Sequence, residues 1–505
     1  MTELYSQHPD RSHTRQHAVV IGGGIAGLLA ARVLTDHFDR VTIIERDAYP
    51  DSPNHRKGAP QSRHAHILMV LGRNIIDSLF PGMIDELRAN GAFSVYDATP
   101  TAFISPVGKL LPTPFKGEFM SFSRAFLEWH ICQRLSRQER IRFMTGCEVT
   151  NVQSTPDRTR VTGVHIRHRS VDQEVAHLSA DLVVDASGRF SKAPEWLTQM
   201  GYDVPPEEQI NSDIGYASRL YEKPTNFPAA WDALVVNVRP PSIPRSGVLL
   251  PIEHNRWQVT LGGSAGSYPP LNEQGFCEWA RSLADPSLYE AIRVAKPITP
   301  IRGYRIPENW FRHFEKLDRW PQGFIVTGDS VCAFNPTYGQ GMTVSAQEAL
   351  VLDACLHKQR VSAKMNFERQ FQRQVAQTVV EPWLLGTGED LRWPNVTLQG
   401  APPRPEMKLI QKYVHLVFQQ AREDFVVSQI YFDVLNMILP SKSLMSSKIL
   451  IRVLDGAIRR RLKRKKSHDD HPGPLALSPE AIADLQSRPA ERYVPAEKEH
   501  TVLHA

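Results

Sequence analysis

Cysteine is scarce in this chain of 505 residues. Its five cysteines, Cys132, Cys147, Cys277, Cys332 and Cys355, form an odd set without CxxC spacing. That excludes a disulfide framework or a cysteine-based zinc site and points to a reducing compartment, the cytoplasm by default. Long apolar runs are missing too. No stretch of about 18 apolar residues occurs, and the polar opening MTELYSQHPDRSHTRQH lacks the apolar centre of a secretory signal, so neither a membrane span nor export is expected. Charge of one sign is nearly absent overall: 59 basic and 54 acidic residues leave +5, which is no nucleic-acid footprint. The sequence shows no internal repeat, Ser-His-Asp triad, metal-ligand cluster or carboxylate pair. What remains is an ordinary globular composition, 41% apolar and 22% charged, with a length of roughly three domain equivalents.

Three segments share one pattern, an apolar strand running into a turn that contains glycine or aspartate. In the first, Ala18-Val19-Val20-Ile21 leads into Gly22-Gly23-Gly24-Ile25-Ala26-Gly27 and then an apolar helical run. Gly22, Gly24 and Gly27 fill GxGxxG, the turn that lets a backbone approach a pyrophosphate seated on a helix N-terminus, with Ile25 and Ala26 inside that turn. A second strand, Val41 to Ile44, ends at Glu45, eighteen residues past Gly27, where a ribose-binding carboxylate belongs, with Arg46 beside it. This motif alone does not separate NAD from FAD.

The third segment, Phe324-Ile325-Val326-Thr327-Gly328-Asp329-Ser330, continues through Asn335-Pro336-Thr337-Tyr338-Gly339-Gln340-Gly341 into a helix starting near Met342. Asp329 could hold a sugar-chain hydroxyl. The glycine-rich turn would present free N–H groups to negative charge on a reduced flavin. The second segment, Asp181 to Arg189, is another strand into a turn, with Asp185 and Gly188 separated by Ala186 and Ser187.

On these motifs the chain resembles the FAD-dependent monooxygenases of the aromatic-hydroxylase superfamily. Within it, the stretches Arg56 to Leu68 and Phe324 to Met342 look most like bacterial polyether epoxidases of the lasalocid and monensin type. The resemblance implies FAD as cofactor, held by Gly22, Gly24, Ile25, Ala26, Gly27, Glu45, Arg46, Arg56, Gln61, Arg124, Asp185, Gly188, Gly328, Asp329, Pro336, Gly339, Gly341 and Met342. It implies transfer of one oxygen atom from O2, through a C4a-hydroperoxyflavin, to a lipophilic secondary-metabolite precursor, with alkene epoxidation preferred. Aromatic-ring hydroxylation and an FAD-dependent reduction of isoprenoid double bonds are the alternatives. Cys332 and Thr343 stand where the aromatic hydroxylases carry His and Asn, which sets the chain apart from simple phenol hydroxylases. The interrupted Asp185–Gly188 motif leaves two sources of electrons, NADPH or NADH directly or a separate flavin reductase. A flavin halogenase would share the scaffold, but the WxWxIP motif is missing.

The expected fold is α/β. A Rossmann-like FAD-binding domain is built from discontinuous segments (18–90, 120–200 and 320–360), with a β-rich substrate domain (91–119 and 201–319) and a helical C-terminal region (361–466). Segments 1–17 and 467–505 read as flexible. Catalysis is expected to centre on the flavin, with Gln61, His64, His66 and Pro336 near it. His64 and His66 could share one face of a strand, but no third ligand lies at a suitable spacing, so no metal site is expected. Phe334, Tyr338, Tyr216 and Trp257 read first as ordinary core aromatics and second as candidates for lining a pocket. The charge balance hides one cluster: residues 467–505 carry seven acidic and three basic residues, so the preceding chain carries +9. Much of that excess lies at Arg459 to Lys466, the end of an amphipathic stretch over 447–466 that fits either peripheral contact with an anionic membrane or a closing helix with a solvated basic end.

Overall fold

The computed structural model describes residues 16–95, 101–112, 119–169, 175–225, 227–362, 366–402 and 404–469. The segments expected to be flexible lie outside the described residues except at 16–17 and 467–469, where the first strand begins at His17 and the last helix runs on to Asp469.

The three motif strands, far apart in sequence, are neighbours. Phe324–Val326, Leu182–Asp185, His17–Ile21, Arg40–Glu45 and Ile141–Thr145 form one sheet in that order, every pair parallel. Ala18, Val19 and Val20 have no solvent exposure. A strand covered on both faces calls for such a continuous apolar run. Because the strands are parallel, their carboxyl ends share one edge. There Gly22 N–H donates to Ile44 O (2.8 Å), Ala186 N–H to Ile21 O (2.9 Å) and Thr327 N–H to Asp185 O (2.9 Å). Loops at this edge are where open α/β sheets bind ligands. Helices Ile25–Leu34 and Gly341–Val361 pack together beside the sheet, and an antiparallel sheet of Cys147–Ser154, Val161–His168 and Val175–Ser179 packs against its strands.

The β-rich insertion expected between the second and third motifs is a seven-stranded sheet, ordered Arg302–Ile306, Ile214–Glu222, Arg256–Gly263, Arg245–Ile252, Leu234–Val236, Ala102–Ser105 and Gly108–Lys109. Alternation along Arg256–Gly263 sends Trp257, Val259 and Leu261 into a core with Phe276 and Leu288 of two covering helices. Helices Phe367–Asp390, Met407–Ala421 and Phe425–Leu435 follow, and a third core joins Val417, Phe418, Phe432 and Ile449 to Phe103 and Leu110. The chain divides into two units, Met1–Val453 and Leu454–Ala505. Within the described residues the second is the last part of the helix Ser447–Asp469.

Candidate functional site

The first turn contains two kinds of glycine. Gly22 has a positive φ of 97°, and a Cβ there would sit 2.5 Å from Ala186 O; one on Gly27 would sit 1.9 Å from Gly22 O. These positions are closed by backbone. Gly24 has extended backbone and faces space, since a Cβ there would meet only the guanidinium tips of Arg124 and Arg56, each at 4.0 Å. The helix starting at Ile25 has no side-chain cap and no acid in its first turn, so its leading N–H groups are left for an anion. Ala26 touches the third motif: a Cβ on Gly328, whose φ is 66°, would lie 2.7 Å from Ala26 Cβ.

Glu45 ends its strand buried beside this turn, accepting from Gly23 N–H at 2.9 Å and Asp47 N–H at 3.1 Å. Arg56 reaches the same carboxylate (Nη1 to Oε2, 2.9 Å), binds Glu128 Oε1 through Nε, and donates from Nη2 to Gly23 O at 3.1 Å. Burial works against the charge of Arg56, but Glu128 and Glu45 together outweigh it and hold the guanidinium above the ordinary arginine value. Arg46, by contrast, is exposed and donates to Gly58 O at 3.5 Å. Gln61 is half-buried on the short 3-10 turn Pro60–Arg63.

Asp329 is solvent-accessible, yet protein crowds it so closely that loss of water pushes its carboxyl above the ordinary aspartate range, against the pull of Arg189 and then Arg124. Arg124 opens the helix Arg124–Ser136, capped by Ser123, and its guanidinium lies near Gly24 at one end and acts on Asp329 at the other. Gly188, with φ of 82°, approaches Asp329 from the second motif. Pro336 is exposed, Gly339 closes its turn with φ of 68°, Gly341 meets nothing within 4 Å of an added Cβ, and Met342 is buried. Open space at Gly24 and Gly341, with Asp329 and two arginines between the motifs, fits a long anionic dinucleotide.

His64 and His66 lie in irregular chain after the turn, not in a strand. His66 Nδ1 is 2.9 Å from His64 O, a group that can only accept, so Nδ1 carries the proton and Nε2 faces Arg124 Nη1 at 3.4 Å as an acceptor. Burial and then Arg124 push His66 down to about 3. His64 is lowered to about 4 by burial, with His55 and Arg63 adding to it. Both rings are therefore neutral near pH 7. His64 Nδ1 meets Ser218 Oγ (2.7 Å), which meets Thr260 Oγ1 (2.6 Å), and its ring lies between Tyr216 and Tyr304. Tyr216 OH reaches Thr337 Oγ1 of the third-motif loop at 3.0 Å. The large sheet, the 56–68 segment and the third motif thus meet here.

One expectation needs correction. Asp185 has no exposed surface; its carboxylate accepts from Ser187 N–H (2.9 Å), Ser187 Oγ and Ser191 Oγ, so it organises its own turn and presents nothing a ligand could reach. Trp257 is core, edge-on to Phe227. Among the described residues, the group with metal-ligand geometry is neither His64 nor His66 but His37, Asp353 and His357, already joined by hydrogen bonds through Asp353.

Two buried acids escape a reading of motifs. Asp390, near the end of its helix, accepts from Asn335 Nδ2 at 2.8 and 3.0 Å and borders a crevice with Phe334, Tyr338 and Trp383. Pro382 and Gly386 inside that helix were the available signal, Gly386 lying against the Tyr338 ring. Glu348 accepts from Gly328 N–H and Thr327 Oγ1, both at 2.7 Å, pinning the turn that carries Asp329. Its signal was an acid between Val344 and Leu352 on a buried helix stripe.

Glu348 has a pH consequence. Burial lifts its carboxyl from 4.5 to about 7, against the two hydrogen bonds it accepts. A raised folded-state value means that the stabilising contribution is full below 4.5 and lost as pH rises through about 7. At 1.36 kcal/mol per unit this amounts to about 3 kcal/mol at most. Urea unfolding of Glu348→Gln between pH 5 and pH 8 should therefore lose a smaller part of its stability than the unaltered protein. Parallel curves for the two proteins would contradict this.

No family model matches the chain. It is 32% identical over 409 residues to Protein Rv3254 of Mycobacterium tuberculosis, spanning 79% of this chain and 86% of that one. The chain belongs to the family of Protein Rv3254. It is also 24% identical over 388 residues to a kynurenine 3-monooxygenase of Salinispora tropica, spanning 70% of this chain and 76% of that one. Among solved structures, a flavoprotein/dehydrogenase from Cytophaga hutchinsonii matches with a TM-score of 0.63 and 15% identity over 88% of this chain and 100% of that one. A triple mutant of the flavin-dependent brominase Bmp2 matches with 0.61 and 14% over 89% and 99%. The p-nitrophenol 4-monooxygenase PnpA of Pseudomonas putida matches with 0.58 and 16% over 84% and 98%. What these structures share with this member of the Rv3254 family is the fold, that of flavin-dependent monooxygenases and halogenases.

Proposed function

We propose that this protein is an FAD-dependent monooxygenase that transfers one atom of O2 to a lipophilic small molecule, by epoxidation of an alkene, while the other atom leaves as water. The two electrons come from NADPH or NADH, directly or through a separate flavin reductase. The observation that carries the reading is the meeting of the three motifs at the carboxyl edge of the sheet, where Arg124 lies beside the open position of Gly24 and acts on Asp329. Gly22, Gly24, Ile25, Ala26 and Gly27 would hold the pyrophosphate, and Glu45 with Arg46 the adenosine end. Arg56, Gln61, Arg124, Gly188, Gly328, Asp329, Pro336, Gly339, Gly341 and Met342 would border the remainder.

When bound, FAD supplies the oxygen-activating chemistry; the chain positions and shields it. Neutral His64 and His66 can orient polar atoms without drawing a proton away near pH 7. Arg124, with His66 accepting from it, keeps a positive charge between Gly24 and Asp329. Tyr216, hydrogen-bonded to Thr337 and beside the His64 ring, would pack against the flavin side of the third-motif loop. The epoxidation rests on the resemblance to polyether epoxidases. The purified flavoprotein, given NADH or NADPH, with and without an added flavin reductase, and a panel of alkene substrates, should show oxygen-dependent turnover and carry label from ¹⁸O₂ into an epoxide. Label in a phenol would favour the hydroxylase alternative, and turnover of the alkene without label the reductase. Absence of any oxygen-dependent turnover would remove the monooxygenase reading.

A further inference from the structure

The helix Ser447–Asp469 runs into the second unit, where Leu454, Ile458 and Leu462 are 46%, 59% and 58% exposed. At 3.6 residues per turn, a four-residue step drifts by only about 40°, so the three side chains make one apolar stripe. Single exposed leucines are common on protein surfaces, but three large aliphatics in register on one face are not scattered exposure. The ionisable residues of the same stretch are nearly all of one sign. Arg459, Arg460 and Arg461 are followed by Lys463, Arg464, Lys465 and Lys466, and the only acid from 454 to 466 is Asp455, which pairs with Arg459 at 2.7 Å.

We infer that this segment docks on an anionic lipid surface. The stripe enters the boundary between headgroups and acyl chains, and the basic residues meet lipid phosphates. Charge selects this occupant. A second copy of the helix would bring two clusters of like charge together. A nucleic acid would neutralise the basic residues but leave the stripe in water. An anionic bilayer satisfies both features at once. Among the described residues no helix is long and apolar enough to cross a membrane, so the contact is peripheral. The inference is independent of the reaction proposed above, although a lipophilic substrate would be at hand on such a surface.

The test is sedimentation of the full-length protein with vesicles of phosphatidylcholine alone, or with a quarter of phosphatidylglycerol added. Binding is expected to the anionic vesicles only. It should fall about tenfold or more in L454S/I458S/L462S, and again in R459Q/R461Q/K463Q/K465Q, each position contributing roughly as a buried aliphatic or a surface lysine does. Circular dichroism and flavin content of both variants should be unchanged, because the apolar side chains replaced are exposed. No binding to anionic vesicles overturns the inference. So does binding that the serine variant leaves intact, since that is adhesion of charge alone. A dimer in light scattering that the serine variant disperses would assign the stripe to a second copy instead.

Discussion

Gly27→Ala should give little folded protein, whereas Gly24→Val should give folded protein nearly devoid of FAD. Both residues belong to the same GxGxxG turn, and their opposite consequences follow from what each faces. A methyl on Gly27 would lie 1.9 Å from Gly22 O and 3.0 Å from Gly22 C. These are backbone atoms of a residue itself held in a left-handed conformation and hydrogen-bonded to Ile44, so neither partner can yield without unmaking the turn. A destabilisation on the order of 4 kcal/mol is expected, the range reserved for strain that cannot relax. Gly24 has φ of −78° and ψ of −179°, which any residue adopts, and its neighbours are two arginine tips at 4.0 Å, an ordinary van der Waals separation. Valine is a poorer N-cap there by about 1 kcal/mol, but its side chain projects into the groove proposed for the pyrophosphate. Bound flavin per chain, read from visible absorbance, should fall about tenfold with the unfolding midpoint little changed, since a steric block of even a few kcal/mol has that effect. Full flavin retention in Gly24→Val would mean that the cofactor lies elsewhere and would remove the basis of the functional proposal.

The contrast between these glycines also marks how far the sequence was legible. The three strand-and-turn segments could be recognised because each is local: a short apolar run, a backbone reversal and a helix start need particular residue types at fixed spacing. Their convergence followed from the parallel sheet that such segments build. The helix from Gly341 and the strands around Val248 and Val259 were visible in their periodicity for the same reason. Asp185 shows the limit of that logic. A strand ending in Asp reads alike whether the carboxylate faces a ligand or caps its own turn, and the choice is made by Ser187 and Ser191, which donate to it in three dimensions. The ties of His64 to Ser218, Glu348 to Gly328 and Asp390 to Asn335 join elements whose sequence separation carries no spacing signal. Such partners are set by packing. In sequence they are only acids or histidines at positions where a buried stripe would place something apolar.

Arg56→Met should destabilise the flavin-free protein by about 3–5 kcal/mol, and restoring neutrality with a second substitution, Glu128→Gln, should return part of that loss. Sequence and resemblance make Arg56 a residue beside the cofactor; the structure adds a role that needs no cofactor. Its side chain is 7% exposed, and the two carboxylates it joins, Glu45 and Glu128, are 6% and 8% exposed. Removing the shared cation leaves buried Glu45 without a counter-charge and Glu128 with only Arg124, 3.8 Å away, and it is this orphaning, more than loss of the pair's own attraction, that makes such deletions costly. Methionine approximates the volume of the arginine stem, which separates the charge effect from a cavity. Arg56→Lys should recover little, because one ammonium cannot reach Glu45, Glu128 and Gly23 O in the directions that a planar guanidinium serves together. The measurement is urea unfolding of apo-protein for the two single variants and the double variant, which yields the coupling between Arg56 and Glu128. If Arg56 acts only on a bound phosphate, apo stability will be unchanged and flavin affinity alone will fall. If it holds the turn as its contacts indicate, stability falls first, and the flavin follows because Glu45 no longer fixes Gly23 in the conformation that presents Gly24 to the groove.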